Sequence, residues 1–117
     1  MRTDYHYNKE AMKYSSVDIP KILFVDKAFN SLTIEAKLIY GILLDRMSLS
    51  GKNGWIDEEK RVYILYPIEQ LHEDTGLSAR TLKEVFKELE DIGLIETQRQ
   101  GHGKPNIIYV KNCMCRK

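Results

Sequence analysis

Cysteine is scarce in this 117-residue chain, which has only Cys113 and Cys115. One residue apart in a basic tail, they are poorly placed to bridge, and two ligands fall short of the usual set of a structural zinc site. They read as free thiols of a reducing compartment. Long apolar runs are absent too, with no stretch near the roughly 18 residues of a membrane span. The opening MRTDYHYNKEAMKY is too polar and too aromatic for a secretory signal, so the expected location is cytoplasmic. His6, His72 and His102 lie far apart, in no metal-ligand spacing. Gly101-His102-Gly103-Lys104-Pro105 lacks the strand–loop–helix setting and the following Ser/Thr of a phosphate-binding loop. No nucleophile motif is found. The expectation is no catalytic residue, no metal and no cofactor.

Negative charge is missing from one region in particular. From Thr97 to Lys117 there are five basic residues (Arg99, Lys104, Lys111, Arg116, Lys117) and no Asp or Glu. The total formal charge of +1 hides this. Residues 1–75 hold 10 Lys/Arg against 12 Asp/Glu, whereas residues 76–117 hold 8 against 5. A local basic surface attracts polyanions even on a nearly neutral chain. With 43% hydrophobic and 30% charged residues, the composition otherwise fits one ordinary globular domain.

What is present is helical periodicity broken by turns. Residues 1–18 have little pattern and read as an N-terminal arm. Two readings stand: a partly ordered terminus, or an arm packed on a second copy. Tyr5, Tyr7, Tyr14 and Phe24 are the candidate contacts of the second reading. Residues 19–25 are expected to be extended, because Pro20 biases Ile19 away from helix and a β-rich apolar run follows. Thr33 suits a helix N-cap, with Glu35 in the first turn. Ile34, Leu38, Ile42 and Ile39, Leu43, Met47 then recur at helical spacing, predicting a wide buried face to about Met47. Residues 50–54 are expected as a loop. Residues 55–57 and 62–66 flank a charged stretch and predict a short hairpin or two strands, with Trp55 as a packing anchor.

Pro67 opens a short helix at a permissive position, with Ile68 and Leu71 facing inward. Residues 75–77 make a turn in which Gly76 ends that helix. Ser78 caps the next helix, which runs to about Ile92 and stops at Gly93. Leu82, Val85, Phe86, Leu89 and Ile92 form its apolar stripe, and Arg80, Lys83, Glu84 and Lys87 lie opposite. His72, Glu73 and Asp74 read as the exposed face of the short helix. Residues 94–99 and 106–110 are strand-like and joined by a basic tip with two glycines.

This order describes an α+β winged helix-turn-helix. It has a three-helix core, a β-hairpin wing, and an additional short hairpin or strands before the second helix. In such a domain the N-terminal turns of the second helix meet base edges in the DNA major groove. Ser78, Ala79, Arg80, Thr81 and Lys83 are nearest that groove. Arg80 suits guanine and Ala79 a thymine methyl, whereas Lys83 and Lys87 suit phosphates. Glu84 either accepts from a cytosine amino group or pairs with Arg80 or Lys87, and the surface pair is favoured. In the wing, Arg99, Gln100, Gly101, His102, Gly103 and Lys104 are the expected contacts, because glycine lets backbone approach a phosphate or the minor groove.

The segments LTIEAKLIYGILLDR, NGW followed by VYI, and LIETQRQGHGKPNIIYVKN are specific beyond this pattern. Through them, residues 19–112 resemble the N-terminal domain of the RepA-type replication initiators (the RepA_N family) of low-GC Gram-positive plasmids. The resemblance implies a winged-helix domain that binds repeated double-stranded DNA sites at a plasmid origin and begins replication. It further implies a homodimer, with paired dimers bridging two DNA sites. It also implies a C-terminal domain of the full protein beyond the basic tail, residues 113–117. Tyr66-Pro67 departs from expectation in lacking a hydroxyl cap before the short helix.

Two other functions compete. One is a transcriptional repressor of the same fold. The other is a winged helix used for protein–protein contact, which predicts a salt-insensitive surface and no duplex affinity. The acid-free wing argues against the latter. A dimer is also expected because such DNA sites are commonly paired and closed two-fold dimers are the commonest oligomers. Residues 5–25 are its expected contact, and no membrane partner is expected.

Overall fold

A computed structural model of the chain describes Tyr5, residues 16–53 and residues 55–114. The expected arm contacts Tyr7 and Tyr14 lie outside the described residues, as does Cys115. Four helices, a 3-10 turn and three strands follow in order.

Helix α1 (Ile22–Val25) occupies most of the segment expected to be extended, and a 3-10 turn (Lys27–Phe29) follows it. Pro20 restricts the residue before it, but its own ring is compatible with a first helical turn. Its carbonyl accepts the Leu23 N–H at 3.1 Å, and that of Lys21 accepts the Phe24 N–H at 2.9 Å. The helix buries Leu23 and the 3-10 turn buries Phe29.

Helix α2 (Ile34–Asn53) starts where expected, with Thr33 Oγ1 accepting the Ala36 N–H at 3.1 Å. It runs past Met47 through residues 50–53, which were expected as a loop. A glycine inside a helix costs only about 1 kcal/mol, so Gly51 alone does not stop a propagating helix. The wide buried face is also narrower than its periodicity suggests. Ala36, Ile39, Tyr40 and Leu43 are buried, whereas Ile34 and Leu38 are 64% and 38% exposed. Helix α2 packs against α4, β1 and β3, and the Ile34–Leu38 edge lies outside that contact. Gly41 serves a close approach. A Cβ there would meet Ile19 Cγ1 at 2.8 Å and the Asp18 carbonyl at 3.1 Å, so residues 18–19 can cross α2 only over glycine.

A single bridge pairs Ile56 with Val62, and the Tyr63 N–H donates to the Trp55 carbonyl at 3.0 Å. The expected short hairpin is therefore present, and half-buried Trp55 sits at its base. Its turn is organised by Asp57. Oδ1 accepts the Glu59 and Arg61 N–H groups, and Oδ2 accepts Arg61 Nε and the Tyr109 hydroxyl. The Arg61 backbone N–H, with help from Tyr109 and the Arg61 side chain, holds the Asp57 carboxyl below its ordinary range. A carboxyl lowered on folding stabilises above its unfolded value and loses that contribution as pH falls. The brace therefore holds at neutral pH and is released only in acid.

Strand β1 (Ile64–Leu65) leads into α3 (Ile68–Thr75) and α4 (Ala79–Asp91), followed by β2 (Ile95–Gln98) and β3 (Ile107–Val110). The sheet has the order β1-β3-β2, with antiparallel partners Ile64–Ile108 and Ile95–Val110 among its pairs. The wing hairpin thus becomes part of a three-stranded sheet. Leu71, Leu82, Val85, Leu89, Ile64 and Ile108 are buried in one core shared by helices and sheet. No helix among the described residues is long and apolar enough to cross a membrane.

Cys113 is also buried in this core, although it was assigned to the tail, and its thiol is free. The Tyr40 hydroxyl donates to the Lys111 carbonyl at 2.5 Å and accepts the Cys113 N–H at 3.2 Å. Burial, then the neighbouring Cys113, pushes the Tyr40 phenol above its ordinary range. Tyr40→Phe is expected to cost about 1–3 kcal/mol, because it strands a backbone donor and acceptor at the end of β3. Urea unfolding with an unchanged slope and a lower midpoint would report it.

Candidate nucleic-acid interface

The candidate site is built on α4. Pro67 precedes α3 in an extended conformation, without a side-chain cap, as its lack of a hydroxyl predicts. Gly76, at φ 80°, ends α3 by donating its N–H to the His72 carbonyl at 2.8 Å. His72 Nδ1 lies 2.7 Å from the Leu77 carbonyl and Thr75 Oγ1 accepts the Leu77 N–H, so the turn is pinned from both sides. Ser78 Oγ then accepts the Thr81 N–H at 3.1 Å and caps α4 as expected.

Leu82, Val85 and Leu89 are buried, and Phe86 and Ile92 are half-buried beside them. That stripe fixes which residues face outward. Ser78, Ala79, Arg80, Lys83 and Lys87 are exposed, and Thr81 is half-buried. The Ser78 and Thr81 hydroxyls are bonded to each other at 3.0 Å, so both belong to the cap before they meet any ligand. Arg80 Nε lies 3.4 Å from Glu84 Oε1, the surface pair that the spacing favoured over a cytosine contact. The Arg80 side chain remains 90% exposed, which leaves its terminal nitrogens in solvent.

Two acids of α4, Glu88 and Glu90, are occupied away from its N-terminus. Glu88 accepts the Thr33 N–H at 3.0 Å and the Thr33 hydroxyl at 2.8 Å, tying α4 to the cap of α2. Glu90 accepts the Thr97 hydroxyl at 2.9 Å, tying α4 to β2 and hence to the wing. Neither partnership has a sequence signal, because Thr33 and Glu88 are 55 residues apart and Thr97 alternates with its neighbours like any strand residue. On the other side of the turn, Tyr66 donates its hydroxyl to Asp74, and Arg46 stacks on the Tyr66 ring at 4.0 Å. Burial, then Asp74, pushes the Tyr66 phenol up to about 12.

The wing tip gathers the rest. Arg99, Gly101, His102, Gly103, Lys104 and Asn106 line a shallow cavity of about 480 Å³. Gly101 and Gly103 have φ 130° and 79°, so two positive-φ positions without side chains flank His102. Gln100, a predicted contact, donates Nε2 to the Pro105 carbonyl at 2.8 Å and braces the loop. Lys111 differs from the other cations of this region, because Glu96 pairs with it at 3.6 Å across the strands. Among the described residues, no group of three His, Cys, Asp or Glu is placed to hold a metal ion.

The family model for the N-terminus of replication initiator protein A (RepA) matches residues 15–117. The chain belongs to this family. A "41 kDa protein" of Lactobacillus helveticus is 32% identical over 87 residues, covering 74% of this chain and 25% of that protein. The chain therefore spans about a quarter of the length of that curated relative. Among solved structures, one described as "Structure of Rep-DNA complex" is 35% identical with a TM-score of 0.80, covering 97% of this chain and 88% of that chain. Another, "N-Terminal domain of DNA binding protein", is 36% identical with a TM-score of 0.77, covering 95% and 85%. A third, "Structure of MDR initiator", is 29% identical with a TM-score of 0.75, covering 93% and 86%. The RepA_N domain of this chain is thus an α+β winged helix, with α2, α3 and α4 as its helical core and β2–β3 as its wing.

Proposed function

We propose that this RepA_N domain binds repeated double-stranded DNA sites at a plasmid origin, in the cytoplasm, to initiate replication. The observation that carries the reading is the outer face of α4, a capped N-terminus presenting Arg80 and Lys83, followed after β2 by a wing tip free of acid. Ser78, Ala79, Arg80 and Thr81 read bases in the major groove, and Lys83, Lys87, Arg99 and Lys104 hold phosphates. The similarity to the protein of a Rep–DNA complex supports DNA binding. The test is fluorescence anisotropy with labelled duplexes at several salt concentrations, after selection of the preferred site from random sequence. Binding that ignores salt, or no preferred site, would overturn the reading.

Within it, Lys104→Ala is expected to weaken binding to every duplex alike. The slope of log affinity against log salt should fall by about 0.9, the contribution of one phosphate contact. A loss confined to one base position would contradict the phosphate role.

The domain acts as a homodimer in this reading, with residues 5–25 as its contact and paired dimers able to bridge two DNA sites. Support comes from Tyr5 and Phe24, which are 82% and 49% exposed. Removing residues 1–18 should yield a monomer in sedimentation velocity, and an unaltered dimer would count against the arm.

A further inference from the structure

Between its two glycines, His102 is the one titratable side chain of the wing cavity that changes charge near neutral pH. Every residue lining that cavity belongs to the wing. The other charged groups facing it are Arg99 and Lys104, and no Asp or Glu occurs between Thr97 and Met114. A phosphate seated among them favours an imidazolium, because its negative charge lies against the ring and offers an acceptor to an imidazolium N–H.

We propose that the wing tip is a proton-linked phosphate site, in which a DNA backbone phosphate seated among Arg99, His102 and Lys104 draws a proton onto His102. The inference rests on the DNA-binding reading and adds to it a ligand group and a regulation. Binding takes up a proton, so affinity rises as pH falls through the imidazole range, and the salt dependence steepens with it.

Anisotropy titrations of the whole chain with a labelled mixed-sequence duplex test this, from about pH 5.5 to about pH 8.5, a range that brackets the ordinary imidazole value. The expected result is a gain of about tenfold toward the acid end. The salt slope should also be about 0.9 steeper there. His102→Gln should lose the gain at the acid end, and with it the pH dependence. His72→Asn, which retains a side-chain N–H for the turn, should keep it. Salt-sensitive binding that ignores pH, or a pH dependence that survives His102→Gln, would overturn the proposal and leave DNA binding standing. No duplex binding at any pH would overturn the DNA-binding reading itself.

Discussion

Replacing Arg80 by alanine is expected to weaken binding to the preferred DNA site by about 1–3 kcal/mol, roughly 5- to 150-fold, and to relax selection at one base pair. Arg80 stands in the first turn of α4, two residues after the Ser78 cap, with its side chain 90% exposed. Glu84 holds Nε from one turn further on, so the guanidinium is oriented while its terminal nitrogens remain in solvent. Those nitrogens match the two major-groove acceptors of guanine. The fold does not depend on this side chain, since an exposed pair four residues apart contributes only a few tenths of a kcal/mol. The thermal midpoint should therefore stay almost unchanged while the affinity falls. Anisotropy titration against the selected site and against single-base variants separates the outcomes. An equal loss on all sequences would make Arg80 a phosphate contact.

Leu82→Ala should do the reverse. Leu82 is fully buried, one residue before Lys83 and on the opposite side of the same helix. Truncation removes buried methyl groups and leaves a cavity between α4 and the core, at an expected cost of about 2–5 kcal/mol. Single domains have only about 5–15 kcal/mol in total, so this loss is a large share of the whole. Urea or thermal unfolding measures it directly. Well below the unfolding midpoint, residual DNA affinity should recover as the folded fraction recovers, because no exposed contact is lost. A stable Leu82→Ala protein would mean that α4 is not packed through this stripe.

The two variants divide along a line already visible in the primary structure. The α4 stripe, the Ser78 and Thr33 caps, the Gly76 turn and the basic tip all follow from spacing within a dozen residues, and each appears in the structure. They were legible because helix periodicity and capping are local properties. Residues 19–25 were not, since an apolar run after proline fits a strand or a first helical turn equally well until its neighbours choose. The end of α2 escaped for a related reason: one glycine disfavours a helix without forbidding it.

Other features depend on partners distant in the chain. Which edge of α2 is buried was decided by α4, β1 and β3 packing on one side of it, so Ile34 and Leu38 remain exposed despite a faultless helical repeat. Glu88 became an anchor only because Thr33 lies beside it, and Asp57, which already braces its own turn, is tied to β3 only because Tyr109 lies beside it. Such pairs follow from how elements pack, to which local periodicity is blind. The residue order alone established a winged helix with a basic, acid-free wing tip. Tertiary packing decided which charges remain outward, pairing Lys111 with Glu96 while leaving Arg99, His102 and Lys104 around one cavity.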